Sequence, residues 1–176
     1  MKKDYSGSML IVFGGLPGAG KTTIARELAR QIGAAYVRID SIEYAIRESG
    51  VVKGDLYDAG YRAAYATAED NLRLGLSVVA DSVNPLPITR EAWRAVAGRA
   101  GVPVLELEVV CSDPIEHRRR VETRGSDFPG WTMTWQEVLD RDYRSWDAEP
   151  IVLDTASMSA EDHVARLRAL LAAQVI

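Results

Sequence analysis

An apolar run, Met9–Phe13, opens into Gly14-Gly15-Leu16-Pro17-Gly18-Ala19-Gly20-Lys21-Thr22-Thr23 and then into Ile24, Ala25, Leu28, Ala29 and Ile32 at helical spacing. Residues 15–22 satisfy G-x-x-x-x-G-K-[ST], and they stand between a buried strand and a helix, where that motif has a mechanism. Glycines let successive N–H groups turn inward around a phosphate, and the helix N-terminus adds partial positive charge. Gly15, Pro17, Gly18, Ala19, Gly20, Lys21, Thr22 and Thr23 are thus the predicted cradle of a nucleoside triphosphate, read as ATP. Lys21 reaches its β- and γ-phosphates, and Thr22 offers a hydroxyl to Mg²⁺.

The rest of the chain continues in kind. Short β-type runs at Ala35–Ile39, Ser77–Ala80, Val104–Val110 and Ile151–Leu153 alternate with longer helical patterns, the signature of βαβ units around a parallel sheet. Buried helix faces are read from Trp135, Val138, Leu139, Tyr143 and Trp146, and from Val164, Leu167, Leu170 and Leu171. Helix starts are marked by Asp113-Pro114-Ile115-Glu116, by Thr134 with Glu137 and by Ser159 with Asp162. With 176 residues, 47% of them hydrophobic, and no repeat or linker, the expectation is one domain over residues 1–176 with a short mobile tail at 1–8. A net charge of −4 argues against a large basic face for nucleic acid, and the lone Cys111 fits a reducing cytosol, so a cytoplasmic protein off the membrane is expected.

In doubly wound sheets ligands collect at the carboxyl ends of the strands, and two aspartates stand there. Asp81 ends "SVVAD" in the position where a carboxylate orders Mg²⁺, although the same place suits a cap for the Asn84-Pro85 turn. Asp40 ends "AAYVRID" and fits either the N-cap of a helix starting at Ser41 or the acceptor of a proton from an attacking hydroxyl. A third element is basic: in "CSDPIEHRRRVETRG", Arg120 and Arg124 share a helix face with His117. They suit a lid whose guanidinium groups fork onto a transferring phosphoryl, over about residues 113–133, with Gly125 and "GSDFPG" as its hinge. A solvated surface holding a Glu116–Arg120 pair is the plainer reading.

The ordered set "GLPGAGKTT", Asp40, "VVADSVNP", "TREAWRAVAGRAG", "RRRVETRG" and "TWQEVLDRDYRSW" resembles the AAA_33/zeta-toxin-like group of small P-loop kinases, and in particular the kinase domain of phage-type polynucleotide kinases, over roughly Met9 to Asp154. The resemblance implies Lys21 and Thr22 at phosphate and Mg²⁺, Asp40 as general base, Asp81 at acceptor or metal, and Arg120 and Arg124 in the lid. It departs beside the base, where Ser41 and Glu43 replace a second aspartate and an arginine, and the nearest arginine is Arg47.

The expected fold is α/β: a three-layer P-loop NTPase fold with a parallel five-stranded sheet in the order 2-3-1-4-5, helices on both faces and a short arginine lid. The expected activity is transfer of the γ-phosphate of Mg·ATP to a hydroxyl of a small molecule such as a sugar, nucleoside or antibiotic. A polynucleotide 5′-hydroxyl is the alternative acceptor, and an ATP-dependent switch is the alternative class. Tyr57, Tyr61 and Tyr65, four residues apart, are read as one helix face that either lines the acceptor pocket or packs in the core.

Overall fold

The computed structural model describes residues 7–123, 125, 127–130 and 132–173; Arg124, Trp131 and the first six residues of the expected tail lie outside the described residues. In chain order the elements are β1 (Leu10–Gly14), α1 (Lys21–Ile32), β2 (Ala35–Arg38), α2 (Ile39–Glu48), α3 (Ala59–Arg73) and β3 (Val78–Asp81). They continue with α4 (Pro87–Ala100), β4 (Val104–Val110), α5 (Pro114–Thr123), α6 (Trp135–Leu139), β5 (Ile151–Asp154) and α7 (Ala160–Ala173). All strand pairings are parallel, and the sheet order is β2-β3-β1-β4-β5, as expected.

The two-residue period of β1 divides the core. Ile11 and Phe13 face α1 and α7, among Ile24, Leu28, Leu107, Val164 and Leu171. Leu10 and Val12 face α3 and α4, among Ala64, Leu72, Trp93 and Val96. Because both sheet faces are covered, β1 and β3 are apolar at nearly every position rather than alternating. The caps read in the sequence form: Asp113 Oδ1 accepts from the amides of Ile115 (2.9 Å) and Glu116 (3.2 Å), Thr134 and Glu137 make a reciprocal capping box, and Ser159 Oγ accepts from Asp162 N.

Three expectations are revised. The second helix begins at Ile39 directly from β2, so the cap position falls on Arg38 and Asp40 sits inside the first turn, making no capping bond. The pattern from Trp135 to Trp146 is not one helix: α6 stops at Leu139, whose side chain is exposed, and Asp140 caps it. Tyr143 and Trp146 look helical by spacing, yet both are drawn to the buried Arg90 guanidinium, whose Cζ lies 4.4 Å from the Trp146 ring centroid and 5.5 Å from that of Tyr143. The tyrosine stripe also divides. Tyr57 precedes α3 with a positive φ of 47° and is 87% exposed, while Tyr65 packs edge-on against Trp93 and donates to Thr89 O.

Arg90 explains how the segment after α6 is held. It is fully buried and donates to the carbonyls of Asn84 (3.1 Å), Pro85 (3.1 Å), Arg144 (2.6 Å) and Ser145 (2.7 Å). Four carbonyl dipoles take the place of a carboxylate, so the loop after β3 and the segment 144–145 are tied to α4. The same loop reaches further: Gly15 N donates to Val83 O at 3.0 Å, and Asn84 N donates to the Tyr61 hydroxyl at 3.0 Å.

Candidate active site

The loop after β1 holds its shape for reasons visible in its neighbours. Gly15 has φ +134°, and a Cβ there would stand 2.1 Å from Val109 O, so no other residue fits against β4. The first helix starts with Gly20 in the cap position, without a side-chain cap and without an acid in its first turn. Its leading amides are therefore left for an external anion. Lys21 is buried and donates Nζ to Leu16 O at 2.8 Å, folding its ammonium back over the loop.

Opposite the loop, Asp81 ends β3 at 2% exposure. Its Oδ2 accepts from the Tyr36 hydroxyl at 2.6 Å and lies 3.8 Å from Arg38 Nε. Burial, and then the charge of Asp81, push the Tyr36 hydroxyl's pKa upward, so it stays a donor. Lys21, Thr22, Asp81 and Asp40 all line one cavity of about 410 Å³, whose far wall adds Glu43, Arg47, Tyr57, Tyr61 and Arg141. Asp40 is half-exposed there, its side chain 44% accessible. Burial raises the Tyr61 hydroxyl to about 12, so it too is neutral at physiological pH.

Arg38 was not picked out by sequence reasoning, yet it is the electrostatic centre of the site. From the end of β2 its guanidinium reaches Asp127 (2.8 Å), Asp40 (3.4 Å) and Asp81 (3.8 Å), and it lies 5.0 Å from the Phe128 ring centroid. Burial works against its charge, but Asp127, Asp40 and Asp81 outweigh it, and its pKa stands above the ordinary arginine value. Phe128 in turn stacks on Tyr44 of α2 at 4.7 Å. Within "GSDFPG", expected only as a hinge, Asp127 and Phe128 are docked onto β2 and α2 through these contacts, and Ser126 lies outside the described residues. The one sequence signal for Arg38 is an arginine closing an otherwise apolar strand, "AYVR".

The fifth helix lies over the loop. His117 Nε2 is 2.8 Å from Pro17 O, and the His117 ring meets Trp135 edge-on. Arg118 and Arg119 pair with Glu122 and Glu116 at the surface. Arg120 donates to Glu116 (2.8 Å) and, with both terminal nitrogens, to Thr155 Oγ1 (2.7 Å) and Thr155 O (3.1 Å). Thr155 Oγ1 is also 2.8 Å from Ala19 O, so this arginine is linked to the loop through the turn after β5. It borders a second cavity, of about 780 Å³, shared with Gly18, Gly20, Thr22 and Thr23. Lys21 and Asp40 are brought together with Asp81 in one cavity; Arg120 stands on the other side of the loop.

Glu43 supplies a test of this electrostatic picture. Burial first and Asp40 second push its carboxyl above the ordinary value, with Arg47 and Arg141 acting in the opposite sense. A raised folded-state pKa means the folded chain holds this proton more tightly than the unfolded chain. The resulting penalty is absent below the ordinary carboxyl range, grows as pH rises through the folded value, and is constant above it. Glu43→Gln is expected to melt slightly above wild type at about pH 7, with a difference that shrinks toward about pH 4. Melting curves at both pH values check this; a lower Tm at neutral pH would show that Glu43 is a net stabilising ion-pair residue.

The match to known proteins covers this same stretch. Residues 10–141 match the model of the AAA_33 family, described as an AAA domain. The chain belongs to the AAA_33 family. Its relatives by sequence include a protein of Aeropyrum pernix named "Probable adenylyl-sulfate kinase", 27% identical over 169 residues, which cover 92% of this chain and 91% of that protein. An uncharacterised protein of Mycobacterium tuberculosis is 29% identical over 119 residues, and the match spans only 24% of its length. Among solved structures, APS kinase of Mycobacterium tuberculosis in complex with AMPPNP and APS superposes with a TM-score of 0.70 at 18% identity, covering 94% of this chain and 98% of that one. A gluconokinase from Sinorhizobium meliloti gives 0.62 at 19% identity, with coverage of 97% and 94%. These solved structures share the P-loop kinase fold. Among the described residues no helix is long and apolar enough to cross a membrane.

Proposed function

We propose that this chain is a phosphotransferase that moves the γ-phosphoryl of ATP to a hydroxyl of a small molecule. One observation carries the reading: an uncapped helix N-terminus with Lys21 and Thr22 shares a single cavity of about 410 Å³ with two carboxylates, Asp81 at the end of β3 and Asp40 in the first turn of α2. The loop amides and Lys21 take the β- and γ-phosphates. Asp40 accepts the proton of the attacking hydroxyl as its oxygen bonds to the γ-phosphorus; the bond from that phosphorus to the β–γ bridging oxygen breaks, and ADP leaves. Arg120, and Arg124 by its place in the sequence, belong to the segment that closes over the phosphates.

The residues present suit Mg²⁺. Among the described residues no cluster of three or more His, Cys, Asp or Glu could hold a metal by itself, and Mg²⁺ asks for none. One carboxylate and one hydroxyl, completed by substrate phosphates and water, are its usual protein share, and Asp81 and Thr22 supply them. Bound there, the ion neutralises charge on the β- and γ-phosphates.

The size of the cavity supports a small acceptor, since about 300–1,000 Å³ is the usual range for such sites. The test is to incubate the protein with γ-labelled Mg·ATP and panels of sugars, nucleosides, aminoglycosides and 5′-hydroxyl oligonucleotides. Label is expected on a small molecule. Label confined to oligonucleotides would replace this reading with a polynucleotide kinase, and slow hydrolysis with no labelled acceptor would replace it with a nucleotide-dependent switch.

A further inference from the structure

Within the phosphate loop some backbone amides are spent and others are not. Gly15 N donates to Val83 O at 3.0 Å, and Ala19 N donates to Leu16 O at 3.3 Å. The amides of Gly18 and Gly20 donate to nothing among the described residues. Each of these two follows a carbonyl that a side chain from far along the chain holds: Pro17 O lies 2.8 Å from His117 Nε2, and Ala19 O lies 2.8 Å from Thr155 Oγ1. A carbonyl can only accept, so His117 carries its hydrogen on Nε2. Thr155 Oγ1 also lies 3.1 Å from Val110 O, which already accepts Thr155 N at 2.9 Å, so the shorter contact to Ala19 O takes the hydroxyl proton. Arg120 Nη1 donates to the same hydroxyl oxygen at 2.7 Å and holds it in place.

Peptide geometry converts these contacts into directions. A trans peptide is planar, and its C=O and N–H point opposite ways; the described residues contain no cis bond. Holding Pro17 O toward His117 therefore turns Gly18 N–H away from α5, and holding Ala19 O toward Thr155 turns Gly20 N–H away from the turn after β5. That direction is the front of the loop. Pro17, Gly18, Gly20, Lys21 and Thr22 line the cavity of about 410 Å³, while His117 borders a separate cavity of about 120 Å³ behind the loop, with Leu16 and Ala19. The glycines fit the same two anchors. Gly18 has φ +82°, and a Cβ there would stand 2.5 Å from Val121 Cγ2 and 3.2 Å from His117 Cδ2. Gly20 has φ +101°, and a Cβ there would stand 3.2 Å from Thr155 Cγ2. The side chains that hold the carbonyls thus also press against the backbone they orient.

We infer that His117 and Thr155 are positioning residues of the phosphate loop: each holds one carbonyl outward, so that the amides of Gly18 and Gly20 are aimed at the β- and γ-phosphates before the nucleotide arrives. Arg120 acts one step further back, through the Thr155 hydroxyl. This rests on the phosphotransferase reading and adds what prepares its cradle. Donors already in place need no reorientation on binding, so their loss is felt where phosphate is gripped and not at the base or ribose.

The experiment compares AMP and ADP, which differ only in the β-phosphate. Titration calorimetry gives the affinity of each for wild type, for His117→Leu and Thr155→Val, and for the donor-keeping variants His117→Gln and Thr155→Ser, with melting temperature as the check that each is folded. His117→Leu and Thr155→Val are each expected to weaken ADP about tenfold and AMP by less than about threefold, so that the preference for ADP falls. His117→Gln and Thr155→Ser are expected to restore most of it, because the Gln amide nitrogen reaches the place of Nε2 and Ser keeps the hydroxyl. If His117→Leu does not fold, His117→Asn takes its part, being polar and small but too short to reach Pro17 O. An unchanged preference for ADP in the variants that lack the donor, whatever their melting temperature, or a loss that Gln and Ser do not repair, overturns the positioning role and leaves the phosphotransferase intact. Wild type that binds ADP no more tightly than AMP overturns both, since the loop then grips no β-phosphate.

Discussion

Asp40→Asn is expected to keep ATP affinity within a few-fold of wild type and to lose transfer to the acceptor by roughly 10²–10⁴ in rate, the combined worth of positioning and general-base help. The substitution is close to isosteric, and the side chain is half-exposed with one long contact, 3.4 Å to Arg38, so the melting temperature should barely move. Nucleotide affinity by titration calorimetry, together with label transfer to the acceptor found in the panel, separates the two effects. A variant that transfers label at the wild-type rate would remove Asp40 from the chemistry and leave it as a first-turn acid of α2.

The second large effect concerns Lys21. Lys21→Ala is expected to cut phosphoryl transfer by at least on the order of 10²–10³, as other preorganised charges do when they are lost from a site where charge develops. The structure sets the stability side of the prediction. Nζ donates to Leu16 O at 2.8 Å, and removing that donor costs about 0.5–1.5 kcal/mol, which is a few degrees of melting temperature for a domain of this size. Turnover at the wild-type level would mean that the loop's lysine has no part in the reaction; unfolding at ambient temperature would mean that it is chiefly a structural cation.

Much of the fold was legible because its determinants are local. Strand–loop–helix spacing and the glycine pattern announced the phosphate loop, caps announced three helix starts, and β-type runs between helices announced the parallel sheet. What was missed depends on contacts between residues far apart in sequence. Arg38 and Asp127 meet at 2.8 Å although about half the chain separates them, and nothing in either neighbourhood shows it. Trp146 and Tyr143 obey helical spacing, yet they leave the helix because a buried guanidinium elsewhere needs aromatic and carbonyl partners. Glu43 was noted only as a departure from the pattern of similar kinases; its place in the wall depends on Gly60 in another helix, where a Cβ would collide with Glu43 Cγ. In the tyrosine stripe the spacing was right, but its start before α3 put Tyr57 in solvent while Tyr65 stayed in the core.

The loop after β3 has a mechanical consequence. Val83 O takes the amide of Gly15, Asn84 gives its amide to Tyr61 and its carbonyl to Arg90, and Pro85 O takes Arg90 and the amide of Arg144. Donor cradle and acceptor wall therefore share one footing of a few residues, and neither can shift without straining bonds to the other. In the proposed transfer, the gap across which the phosphoryl travels is set by this shared footing. A displacement of about 1 Å in such a gap can cost 10²-fold in rate, so the geometry to which the proposed reaction is most sensitive rests on these few bonds.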